Sequence, residues 1–198
     1  MSQDMSQQIA AAAARWVVDE GMEYGAAKRR AARELLRRGA RQPELPSNEQ
    51  VENEVREHIA LFHADRQPDE LRALREVALQ WMDRLAAFRP HLGGAAWRGT
   101  ATRRSALHID LYCDDSKGAE IALLNLGIDF DAGAIDRPGQ DPLPVLTVAT
   151  HSPALAEVVT VHLLVHDFDA QRGALKPDAA GRSWRGDAAA LRRLMEAG

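Results

Sequence analysis

The stretch "RGTATRRSALHIDLYCDD", residues 98–115, decides how the chain is read. It opens on Gly99-Thr100, passes through a basic turn at Arg103 and Arg104, and then alternates. Leu107, Ile109, Leu111 and Cys113 interleave with His108, Asp110, Tyr112 and Asp114. A period of two belongs to a β-strand, whose successive side chains leave opposite faces. This segment is therefore expected to be a strand with one apolar face and one face carrying imidazole and carboxylate.

Downstream, "DDSKGAEIALLNLG" reads as a short helix capped by Asp115 or Ser116 and stopped by Gly127. "IDFDAGAI" and "LPVLTVAT" are expected to pair as strands across "DRPGQDP". "VVTVHLLVH" alternates again, with Val159, Val161, Leu163 and Val165 on one side and His162 on the other. Asp187 is expected to cap a C-terminal helix that turns Leu191, Leu194 and Met195 inward.

Upstream the period changes to that of helices. Ile9, Ala13, Trp16 and Val17 share a face, and Gly21 stops that helix. A second helix runs from about Glu23 to Arg38 and stops at Gly39. Ser47 with Gln50 forms a capping box for a third, whose inner face is Val51, Val55, Ile59 and Phe62. "QPDE" opens a fourth with the stripe Leu71, Leu74, Ala78, Trp81, Leu85 and Phe88, ended at "FRPHLGG" by Pro90 and a glycine pair. The expected organisation is α+β. A helical region of about four helices covers 1–92 and packs on a small mixed β-sheet in an α+β domain covering 93–198, with a glycine hinge near residue 93.

The 198 residues suffice for a hydrophobic core without staples. Lys and Arg number 25 against 29 Asp and Glu, a formal charge of -4, so any nucleic-acid-binding surface must be local. The single cysteine, Cys113, excludes an intramolecular disulfide and a cysteine-based zinc cluster, and suits a reducing compartment. The apolar run from Ile9 follows Asp4 rather than a basic segment and is broken by Arg15 and Asp19, so it is not read as a signal sequence. No apolar run is long enough to span a bilayer, so no membrane partner and a cytoplasmic location are expected.

Gly99-Thr100, Ser105 and "LHIDL" leading into a helix resemble the signature of the nucleotidyltransferase fold, in which a Gly-Ser pair precedes a strand written Ser-Asp-Ile-Asp-Leu. "GAAKRRAARELL", "LPSNEQVENEVREHIALF" and the layout around the strand are similar to an uncharacterised group of proteobacterial proteins described as nucleotidyltransferase-like. The resemblance implies a mixed sheet of that type. It also implies a site where two carboxylates at i and i+2, with a third from a neighbouring strand, hold Mg²⁺ or Mn²⁺ against a triphosphate. This chain departs from that pattern. In one register Ala106 and His108 stand at the acid pair; in the other His108 and Asp110 do, and His162 takes the third place. Imidazole serves Mg²⁺ poorly, so the resemblance points to a fold whose catalytic acids are degenerate.

Four features could carry chemistry. His108, Asp110 and His162 could bind a transition metal or act as general acid and base if their strands are neighbours; the competing reading is a solvated polar face. Arg30, Arg33, Arg37 and Arg41 fall along one stripe of the second helix. That stripe could contact nucleic-acid phosphates or simply pair with acids elsewhere. Gly99, Thr100, Arg103, Arg104 and Ser105, with Arg98 nearby, could cradle the anion of a nucleotide. His58 and His63, five apart, are poorly spaced for a shared metal on a helix, and the remaining histidines add little.

Three functional readings follow. The first is a non-catalytic, degenerate nucleotidyltransferase-like protein (a pseudoenzyme) that binds a nucleotide, an RNA end or a protein partner. The second is an active metal-dependent nucleotidyltransferase that uses Asp110. The third is a non-enzymatic protein–protein interaction module that docks a partner or a second copy of itself.

Overall fold

The computed structural model describes residues 2–35, 44–115, 117–177 and 181–197. By backbone contacts they divide into two compact units, Met1–Glu70 with Thr100–Ser105, and Leu71–Gly99 with Ala106–Gly198. The chain is α+β, with its long helices in the N-terminal half and one mixed sheet in the C-terminal half. No helix among the described residues is long and apolar enough to cross a membrane.

The first unit is built on α1 (Ser2–Glu20), α2 (Tyr24–Leu35) and α3 (Asn48–Phe62). Ile9, Ala10, Ala13, Ala14, Val17 and Val18 of α1 pack with Ala27, Ala31 and Ala32 of α2 and Val51, Val55 and Ile59 of α3. The many alanines let the helix axes approach closely. The capping box forms as the sequence requires, with Ser47 Oγ accepting from the Gln50 N–H and Gln50 Oε1 accepting from the Ser47 N–H. One residue breaks the apolar rule on α3. The buried carboxylate of Glu52 accepts from the Tyr24 hydroxyl, from Arg56 and from the Thr100 hydroxyl, so its charge is satisfied. Phe62, expected inside, is 65% exposed, because the helix ends there and its last turn lies past the core.

The second unit takes most of α4 (Gln67–Arg84), whose buried stripe is Ala73, Leu74, Val77, Ala78, Trp81 and Met82. Among the described residues the strands are β1 (His91–Gly93), β2 (Leu107–Cys113), β3 (Asp131–Ile135), β4 (Leu143–Ser152) and β5 (Glu157–Asp167), in spatial order β1-β2-β5-β4-β3. Short helices α5 (Gly94–Arg98), α6 (Gly118–Asn125) and α7 (Gln171–Ala174) and the terminal α8 (Ala188–Ala197) complete it. β2 and β5 are parallel; the other pairings are antiparallel, including the expected β3–β4 pair. Alternation does what the sequence implied. Leu107, Ile109, Leu111, Val161, Leu163, Val165, Leu146 and Val148 are buried on one face, and the residues between them form the other.

β1 was not legible. Pro90 does stop the preceding helical segment, but the three residues that follow pair with β2 instead of forming a loop. Outside β1 lies an isolated bridge, in which Leu92 and Gly186 exchange backbone hydrogen bonds of 2.9 and 3.0 Å. Trp97 clamps that bridge. Its indole N–H donates to the Ser183 carbonyl at 2.8 Å, and its ring lies where a β-carbon on Gly186 would have to be, within 2.1 Å. Gly186→Ala should therefore lose about 1–3 kcal/mol through overpacking, read as a lowered midpoint of urea unfolding.

Candidate functional site

The site grows from the pairing of β2 with β5. In-register parallel pairing sets His108 opposite His162, Asp110 opposite Leu164 and Tyr112 opposite His166. Antiparallel β1 sets His91 opposite Asp110 and Gly93 opposite His108. Opposed residues share a face, so β1, β2 and β5 present four imidazoles, those of His91, His108, His162 and His166, around one carboxylate, Asp110.

Asp110 organises this face. Its side chain is only 10% exposed, and both oxygens are engaged. Oδ1 accepts from His166 Nε2 at 2.6 Å and Oδ2 from Arg185 Nη1 at 2.9 Å. The same Nη1 reaches the Tyr112 hydroxyl at 3.2 Å. The Tyr112 ring stacks on His166 with centroids 5.2 Å apart and meets His91 edge-on at 5.5 Å. Burial raises the Tyr112 phenol above its ordinary value, the Asp110 charge raises it further, and Arg185 opposes both, so the phenol stays protonated at neutral pH. His91 Nδ1 lies 2.8 Å from the Arg89 carbonyl, which can only accept, so that nitrogen carries a proton.

His108 and His162 lie beside this network, rings 5.2 Å apart and tilted by 41°. His162 Nδ1 is 3.0 Å from the Thr147 hydroxyl on β4. The backbone approaches this pair at Gly93-Gly94. Gly94 has φ +66, and a β-carbon there would lie 3.4 Å from His108 Nδ1; one on Gly93 would lie 3.8 Å from Asp110 Oδ2. The glycines that touch the histidine face are thus 93 and 94, whereas Gly99 is the left-handed C-cap of α5, with φ 85. Arg75 donates to the Ala96 and Trp97 carbonyls at the end of that helix, and burial lowers its pKa.

The other residues of the basic turn lie in the first unit. The Thr100 hydroxyl donates to Glu52, the Arg103 backbone N–H donates to Glu70 at 2.9 Å, and Ser105 Oγ accepts from the Thr102 N–H. Two carboxylates hold donors that an anion would need, while the Arg103 and Arg104 side chains are exposed. In the basic stripe, the Arg30 guanidinium stacks over Trp16 at 3.5 Å and pairs with Glu34, and Arg33 is exposed. Arg37 and Arg41 lie outside the described residues.

The donor set does not suit Mg²⁺. Among the described residues, the face of β1, β2 and β5 offers one carboxylate, which a guanidinium and an imidazole already hold. His91, His166 and Arg185 were missed as site residues. His166 stands on the same alternating face of its strand as His162, so a signal existed for it; nothing local marks Arg185, or His91 in the three-residue β1. Comparison with protein-family models, with curated proteins and with solved structures finds no match to this chain.

Asp110→Ala should cost about 2–3 kcal/mol in urea unfolding, because it leaves Arg185 and His166 without their acceptor. Cys113, at the end of β2, has its thiol raised by burial first and then by Asp115, Asp167 and Asp114. Less thiolate forms at a given pH, so iodoacetamide should alkylate it more slowly at pH 8 than a free cysteine, with the rate climbing above the ordinary thiol range.

Proposed function

We propose that this protein is a nucleotidyltransferase-like pseudoenzyme that holds a phosphate-bearing ligand, a nucleotide or an RNA end, on the histidine face without transferring it. The single observation that carries this reading is the state of Asp110, the only carboxylate on that face among the described residues of β1, β2 and β5, paired with Arg185 and hydrogen-bonded to His166. A face with one neutralised carboxylate and four imidazoles does not suit hard Mg²⁺, while its ring N–H groups and Arg185 are donors that phosphate oxygens accept from. The buried Nε of Arg185, which has no acceptor within the described residues, adds a donor of the kind that ligand oxygens satisfy. The succession of β1, a glycine pair, α5 and β2, with β5 alongside, supports the resemblance in fold; on this reading, in the register that keeps one acid, His108, Asp110 and His162 take the places of that fold's carboxylates.

The residues act by binding and orientation. Arg185 and His166 fix Asp110, Tyr112 packs against His166, and His108 and His162 offer imidazoles beside the glycine turn, where backbone can approach a ligand closely. Calorimetric titration with ATP, GTP, CTP and UTP, with Mg²⁺, with Mn²⁺ and with a chelator, tests the reading. Expected is triphosphate binding that survives chelation and weakens about tenfold or more in the His108→Ala, His162→Ala double variant, with no label transferred. Silence across the panel ends the nucleotide version. Label transfer abolished by Asp110→Ala would instead establish the active enzyme.

A further inference from the structure

The helical unit holds a second cluster, independent of the histidine face. His58 Nε2 lies 3.3 Å and His63 Nε2 3.1 Å from the same carboxylate oxygen, Oδ1 of Asp19. One donor atom from each residue falls within 4.8 Å of the others. The sequence spacing argued against this. On a regular helix, residues five apart point about 140° away from one another. The helix does not continue that far: α3 ends at Phe62, and His63 is its C-cap with φ -134 and ψ 8, which turns its imidazole back toward that of His58. Asp19 comes from the last turn of α1, where the helix macrodipole disfavours a carboxylate unless a cation accompanies it.

We propose that Asp19, His58 and His63 form a binding site for a first-row divalent transition metal of the zinc class. Two imidazole nitrogens and one carboxylate oxygen are a common set for such ions. Metal–ligand bonds of about 2.0–2.1 Å at tetrahedral angles require ligand atoms about 3.3 Å apart, and the two carboxylate–imidazole separations of 3.1 and 3.3 Å match that. The imidazoles are 14% and 12% exposed, which keeps bulk water off the nitrogens, and Asp19, at 44%, leaves an entry path and a fourth position for water.

Arg66 tunes the site. Its guanidinium donates to His63 Nδ1, with Nε at 3.2 Å, which holds the metal-free imidazole with its proton on Nε2, directed at Asp19. A metal on Nε2 displaces that proton and leaves the neutral ring protonated on Nδ1, so Arg66, which is exposed, must swing away. Arg66 therefore opposes the metal, and removing it should tighten binding.

The test is titration of the full chain at neutral pH with Zn²⁺ by calorimetry and with Co²⁺ by visible absorption. Expected are one equivalent bound, tetrahedral-type cobalt bands, and a melting temperature raised by the metal. Asp19→Asn and His58→Gln, each near-isosteric, should abolish the cobalt bands and the melting shift. Arg66→Ala should tighten binding about tenfold, and His151→Ala, on an exposed residue elsewhere, should leave it unchanged. The proposal is overturned if the unmodified chain binds no metal up to millimolar concentration. It is equally overturned if the metal bound is indifferent to Asp19→Asn and His58→Gln.

Discussion

The in-register parallel pairing of β2 with β5 is the constraint on which the second unit depends. It aligns Leu107, Ile109 and Leu111 with Val161, Leu163 and Val165, so hydrocarbon collects on one face of the sheet. A slip of one residue would send the whole set to the wrong side. The histidine face is the consequence of that register, because the residues excluded from the apolar side include His108, Asp110, Tyr112, His162 and His166. Hydrophobic burial fixes where the polar groups stand, and those groups then settle among themselves which of them carries charge.

That second step turns on Asp110. A carboxylate this enclosed needs compensation, and it has a guanidinium on one oxygen and an imidazole on the other. Arg185 reaches it because the Leu92–Gly186 bridge extends the sheet beyond β1 and because Trp97 packs on Gly186, where no side chain would fit. A tryptophan and a glycine whose side chains make no contact of their own with Asp110 in this network thus help determine the electrostatics of the face. An unpaired Asp110 would invite a cation; the paired one leaves a surface whose remaining polar groups are imidazoles, hydroxyls and the Arg185 guanidinium.

In the first unit the same logic acts on a smaller scale. Alanine-rich helices pack closely, and the polar groups trapped near them find partners within the unit: Glu52 with Tyr24, Arg56 and Thr100, and Asp19 with His58 and His63. The residues of the basic turn, which read as an anion cradle in isolation, are partly engaged here, Thr100 by Glu52 and the Arg103 amide by Glu70. Donors that look available in a sequence are often already matched by acids far along the chain.

What the sequence determined by itself was periodic and local. The alternation over Leu107–Cys113 and Val159–His166, the Ser47–Gln50 capping box, the apolar stripe of α4 and the β3–β4 pair could all be read, because each depends on neighbours within a few residues. The three-residue β1 was too short to show a period. Only the tertiary structure decided who meets whom. Arg185 lies 75 residues from Asp110 and His166 lies 56, while Asp19 lies 39 and 44 residues from its two histidines. Side-chain period records which face a residue occupies; it carries no information about which other segment will be laid beside that face, and both clusters are made by that choice.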